Sequence, residues 1–267
     1  MGDDAQRAHL LSGPGQGPST DLAPQTYQTQ PGAERPPRSH AAPGELMRLF
    51  VAISPPAAVL DELDALLAPL RERREDLRWT SRAAWHVTLA FLGQVDERTA
   101  ARVPARLERA AGRHRNFYLA FAGGGAFPMQ ERANVLWSGV AGDRGALARL
   151  AESVAAGASR AGAAPPDRGR RFQPHLTLAR CRMPADVTPL VAALAGYQGA
   201  PWTADRLHLV RSRLGATDQP RYTSLGSWPL RALEGAPPAG DAVPADSAVP
   251  ADGAVPAEDA VPADGAD

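Results

Sequence analysis

Two short segments nearly repeat each other in this 267-residue chain. They are His86-Val87-Thr88-Leu89, within WHVTLAFLG, and His175-Leu176-Thr177-Leu178, within PHLTLARCR, 89 residues apart. Each lies in an apolar run that reads as a strand, where successive side chains point to opposite faces. Strict alternation puts His86, Thr88 and Ala90 on one face and Trp85, Val87, Leu89 and Phe91 on the other. In the second segment His175, Thr177 and Ala179 oppose Leu176 and Leu178. Two such fronts suit one ligand held between two half-sites. Imidazole titrates near neutrality, so a neutral ring can take a proton from an attacking hydroxyl or water while a protonated ring gives one to a leaving oxygen. In-line displacement at phosphorus needs that pair of roles. The hydroxyls of Thr88 and Thr177 can donate to non-bridging phosphate oxygens, and arginine can offset the developing charge.

Other chemistries fit less well. Neither motif offers a second metal ligand at i+2 or i+4, and threonine binds zinc poorly. Asp205 could complete a metal site only in space. The single cysteine, Cys181, excludes an intrachain disulfide and a cysteine-rich zinc site. No GxxxxGK[ST] phosphate loop and no GxSxG elbow occur. Gly123-Gly124-Gly125 reads as a flexible loop and only weakly as a phosphate cradle. No cofactor and no metal are therefore expected. His9, His40, His114 and His208 sit in no comparable pattern.

The elements that must position the motifs are legible from periodicity. Strands are expected over 46–54, 77–80, 85–92, 116–122, 133–140, 172–181, 204–213 and 222–228. Helices are expected over 57–74, 97–113 and 144–161, with a weaker one after Asp186. Asp96 and Asp143 read as helix N-caps, and 123–132 as a loop. Strand pairs alternating with single helices favour α+β with antiparallel sheets. A helix and a motif strand appear in each half, as in a duplication.

Composition sets the boundaries. Residues 1–45 are rich in Pro, Gly, Gln and Ser and read as a disordered extension, with Met47 before RLFVAI as a natural beginning. Residues 232–267 repeat Val-Pro-Ala from Val243, Val249, Val255 and Val261, with an acid in each copy. Such a segment has too little apolar surface to offset the entropy of ordering and reads as a disordered acidic tail. The folded part is then 46–231. The net charge of zero conceals a division: 46–231 carries +10, 1–45 carries −2 and 232–267 carries −8. A basic body suits a polyanion, and the tail could fold back over a basic groove. The complete absence of lysine also fits a genome-wide bias toward arginine. No apolar run approaches membrane-spanning length, and the N-terminus lacks the pattern of a secretory signal. A cytoplasmic monomer is expected.

With these motifs in place, the chain resembles the two-histidine phosphoesterase superfamily, defined by paired H-x-[ST]-hydrophobic motifs. Within it, the chain is most similar to the RNA 2′,3′-cyclic phosphodiesterases, also called LigT-like or 2′-5′ RNA ligases. RLFVAISPP, WHVTLAFLG, the Phe127–Val140 segment, FQPHLTLAR and RLHLVRSRL carry the resemblance in order. It implies two pseudo-symmetric lobes, each an antiparallel sheet with helices, around a groove. It also implies opening of RNA 2′,3′-cyclic phosphate ends to 2′-phosphates, with His175 as base and His86 as acid. Arg180 matches an arginine that follows the second motif and touches phosphate. Strict alternation places it opposite His175, so it reaches the site only if the strand ends or bulges. Phe50 is a candidate for the groove floor or a base contact. Other expectations compatible with the pattern are cleavage of 2′,5′-oligonucleotides or a small cyclic phosphate, or a module that only binds nucleotide or RNA.

Overall fold

The computed structural model describes residues 46–163, 171–214 and 220–232. The expected N-terminal extension over 1–45 and the acidic tail from 233 onward lie outside the described residues. The elements run β1 (Met47–Ile53), α1 (Ala57–Arg73), β2 (Arg78–Trp79), β3 (Val87–Val95), α2 (Glu97–Ala111), β4 (Phe117–Phe127), β5 (Ala133–Gly142) and α3 (Arg144–Ala161). Then come β6 (His175–Ala185), α4 (Thr188–Leu194), β7 (Trp202–Ala204), β8 (Arg206–Leu214) and β9 (Pro220–Pro229). The class is α+β with antiparallel strand pairing, as the alternation of strand pairs and helices implied.

The strands form one sheet in the order β7-β4-β5-β6-β3-β1-β8-β9, with β2 pairing to β6 beside β3. Each half of that order holds four strands, one of them a motif strand. The halves are not separate sheets, because Val87 of β3 pairs with Leu176 of β6. At the other end of the order, β7 and β8 lie far apart along the sheet, yet Asp205 alone separates them in the chain. One residue spans only about 3.5 Å, so the sheet must curl until these strands approach each other.

Each helix buries one stripe. In α1 the buried positions are Val59, Leu63, Leu67 and Leu70, and in α3 they include Leu147, Leu150, Ala151, Val154 and Ala158. These three- and four-residue steps keep one face toward the core. Burying each leucine contributes roughly 1.5–3 kcal/mol. Asp96 caps α2 as expected, its Oδ1 accepting from the Thr99 amide at 2.6 Å. Asp143 does not cap α3. Its carboxylate instead accepts from the Tyr118 amide at 3.1 Å, tying the end of β5 to the start of β4.

Two segments differ from the expected elements. The strand expected over 204–213 is present as β8 from Arg206, but its first residue, Ala204, instead closes a short separate strand, β7, toward the other end of the sheet order. The segment Gly123–Phe127 is strand, not loop, and continues β4 opposite β5. Gly123 takes a positive φ of 62°, and the next two glycines leave space for neighbours. A Cβ on Gly125 would run into the Trp137 ring on the paired strand, and one on Gly124 would meet Leu194. Composition marked this run as a loop because the side chains that require Gly124 and Gly125 come from other elements, Leu194 of α4 and Trp137 of β5.

Gly125→Ala is expected to destabilise the protein by about 1–3 kcal/mol, the usual cost of overpacking. Gly196→Ala, where an added Cβ meets nothing within 4 Å, should leave the urea midpoint nearly unchanged. A second expectation concerns His208, buried between β1 and β9, where burial pushes its pKa down to about 4. An exposed histidine in the unfolded chain titrates near 6.5. Between those values the unfolded state holds more protons, so stability rises with pH and is lost on acidification through this window. Thermal midpoints measured from about pH 7 to pH 4 should fall less steeply in His208→Gln than in the parent.

Candidate active site

His86 immediately precedes β3 and His175 opens β6. The pair Val87–Leu176 joins the two strands just beyond them. Both of these side chains are fully buried on the helix side. Counting one residue outward on each strand, His86, Thr88, His175 and Thr177 all turn to the opposite, open face. A local two-fold through that pair relates His86 to His175 and Thr88 to Thr177.

The two imidazoles are held in the same way. Nδ1–H of His86 donates to the Ala84 carbonyl at 2.7 Å, and Nδ1–H of His175 donates to the Gln173 carbonyl at 2.8 Å. A carbonyl only accepts, so Nδ1 must carry the proton in the neutral ring, which puts the lone pair on Nε2. Both rings are half-buried, as are Thr88 and Thr177. Neither threonine hydroxyl has a protein partner among the described residues, so both can bond a ligand.

The ring walls differ. His86 stacks on Phe50, with centroids 4.7 Å apart and planes 26° from parallel, and meets the edge of Tyr222 at 5.2 Å. His175 meets the edge of Phe127 at 5.0 Å and lies 6.2 Å from Trp137. Phe50 is only 3% exposed. It therefore backs the His86 ring and offers a bound base no open face. Tyr222, Phe127 and Trp137 were not among the residues singled out from the sequence, because only strand register brings them to the histidines. Trp137 pairs with Thr177 across β5 and β6, and Tyr222 lies on β9, two strands from β1.

Arg180 reaches the same face through an irregularity of the strand. Opposite β5, Thr177 pairs with Trp137 and Ala179 with Leu136, so Leu178 is an extra residue. Such a bulge reverses the alternation beyond it. Leu178 and Ala179 are both fully buried, and Arg180 is half-exposed beside His175 and Thr177. β3 does the same at the matching position. Ala52 pairs with Thr88 and Val51 with Ala90, which makes Leu89 the extra residue. Strict alternation is thereby corrected twice. Ala90 and Ala179 belong to the buried side, and Phe91 turns to the open side, 6.2 Å from Phe50.

Arg78 adds a second cation. It lies opposite Arg180 in the β2–β6 pair and so shares its face. Like charges placed directly opposite each other in a sheet are destabilising. No pattern in the sequence linked residues 78 and 180.

Electrostatics distinguish His86. Burial is the main influence and pushes its pKa down to about 4, against the pull of the Ala84 carbonyl. The charge of Arg180, and that of His175 whenever it is protonated, push in the same direction as burial. In the unliganded site His86 is therefore neutral at pH 7. An anion bound between the histidines would oppose each of these effects.

Against known families, residues 55–216 match the 2′-5′ RNA ligase superfamily. A protein of Aeropyrum pernix named RNA 2′,3′-cyclic phosphodiesterase is 37% identical over 41% of this chain, and the match spans 60% of that protein. A protein of the same name from Thermus thermophilus is 32% identical over 71% of this chain and 93% of its own length. Among solved structures, E. coli LigT complexed with 3′-AMP superposes with a TM-score of 0.55 at 26% identity, covering 70% of this chain and 99% of that one. A family match across the motif strands, on a curled antiparallel sheet of the same kind, places this chain in the 2′-5′ RNA ligase superfamily.

Proposed function

We propose that this chain is a hydrolase that opens RNA 2′,3′-cyclic phosphate termini to 2′-phosphates by acid–base catalysis between His86 and His175, without a metal. The observation that carries this reading is the matched pair of imidazoles. Each is fixed through Nδ1 to the carbonyl two residues upstream, which places the ring's lone pair on Nε2, with a threonine two residues further along the same face. The names of the relatives support the substrate.

In the proposed reaction Nε2 of His175 takes a proton from water as the water oxygen bonds to phosphorus. The bond from phosphorus to the 3′ oxygen breaks, and His86 delivers a proton to that oxygen. The products are a 2′-phosphate and a 3′-hydroxyl. Thr88 and Thr177 donate to the non-bridging oxygens, and Arg180 offsets the charge that builds on them. A ribose 5′-hydroxyl in place of water would give a 2′-5′ linkage by the same proton transfers, which accounts for ligation as a variant of one reaction.

The acid role of His86 depends on substrate. Burial holds its pKa near 4 when the site is empty, a value at which it cannot supply a proton efficiently at neutral pH. The bound cyclic phosphate carries one negative charge, which favours the imidazolium. Proton uptake by His86 is thus coupled to substrate binding.

The test is incubation, in EDTA, of an RNA oligomer ending in a 2′,3′-cyclic phosphate. A 2′-phosphate product is expected, and His86→Ala or His175→Ala should lower kcat by about 10²–10⁴-fold. Near-normal rates in either variant, or loss of activity in chelator, would refute the mechanism. The pH profiles test the coupling. The kcat/KM profile reports the free enzyme and kcat the complex. The alkaline limb should therefore begin at lower pH for kcat/KM than for kcat; coincident limbs would mean that binding does not raise the His86 pKa.

A further inference from the structure

Away from the histidines, on the helix side of the sheet, α2 and α3 enclose a cleft of 390 Å³. Arg106, Arg109 and Arg113 project into it from the α2 side, and Arg160 with Glu152 from α3. Small residues, Ala156 and Gly157, leave the room. The arginines continue a row, because Arg98, Arg102, Arg106, Arg109 and Arg113 recur at steps of three and four residues along α2. That spacing keeps them on one face. Like charges so placed repel each other, and none of the four cleft arginines is in an ion pair among the described residues.

The described chain ends at the mouth of this cleft. The Arg231 amide donates to the His114 carbonyl at 2.9 Å, and the Asn116 amide donates to the Arg231 carbonyl at 2.8 Å. Arg231 also bridges to Arg115. The next residues are therefore delivered beside Arg113, at the C-terminal end of α2. From residue 232 to 267 the chain carries eight acids and no base, beginning with Glu234.

We propose that this acidic C-terminal segment occupies the arginine cleft between α2 and α3 as an intramolecular polyanion. Three observations converge on it: an unpaired cationic row, an anionic segment that begins at its edge, and a cleft with room for side chains. Tethering gives the segment a high effective concentration there, in the millimolar range for short flexible links. An untethered polyanion must compete against that. Charge on the back of the sheet would then be neutralised, while the cations beside the histidines stay available to substrate. The inference does not depend on the reaction assigned to the histidines.

A nitroxide on Ala248→Cys, in full-length protein with Cys181→Ser, reports where the segment lies. At about 20 mM NaCl, where screening is weak, selective broadening of amide signals from Arg106–Arg113 and Glu152–Arg160 is expected. The broadening should be lost near 0.5 M NaCl, where the Debye length is on the order of 4 Å. It should also be lost at low salt when Arg106, Arg109, Arg113 and Arg160 are all changed to Gln. Broadening confined to the strands that carry the two histidines, or none at either helix, would overturn the proposal. So would an unbroadened cleft whose signals shift on adding a short single-stranded RNA with a 3′-hydroxyl end, because the face would then be an RNA contact.

Discussion

The site depends on one cross-strand pair. Val87 and Leu176 join the two halves of the sheet, both buried, with a histidine immediately before each. Their inward direction forces the flanking histidines and threonines outward onto a common face. The antiparallel register makes the arrangement symmetric, so two imidazoles that are 89 residues apart in sequence stand on one face of the sheet. A slip of either strand by one residue would turn its own histidine and threonine into the core.

What lies beyond the pair is set by strand irregularity. Regular strands would keep Arg180 on the buried face and Ala179 on the open one. The bulges at Leu89 and Leu178 exchange them in both motifs, so a small side chain is buried where a strand packs and a large one emerges toward the ligand. In one half the emerging residue is the cation Arg180 and in the other it is the aromatic Phe91. The symmetric frame therefore carries an asymmetric environment. His86 is enclosed by Phe50 and Tyr222 and loses affinity for protons, while His175 sits between Phe127 and Trp137 in the half that also supplies Arg180.

Charge follows the same division of faces. Arg78 and Arg180 stand opposite each other on the open side. The arginines of α2 stand on the helix side, where the described chain ends next to an acidic segment. The net charge of zero sums these regions and hides both of them.

The sequence by itself determined the elements and the chemistry. The period of two around His86 and His175, the helical steps of Leu63, Leu67 and Leu70, and the Asp96 cap are local properties. A residue's nearest neighbours along the chain decide them. The matched His-Thr pairs were legible for the same reason, since each half-site is four consecutive residues. Only the tertiary structure decided which other side chains join them. Phe50, Tyr222, Phe127 and Trp137 reach the histidines, and Arg78 reaches Arg180, through pairing between strands distant in sequence, and nothing in their own neighbourhoods records the partner. The face taken by Arg180 and the strand character of Gly123–Phe127 were likewise set elsewhere. A bulge exists only relative to the opposing strand, and Gly125 is required only because Trp137 lies across from it.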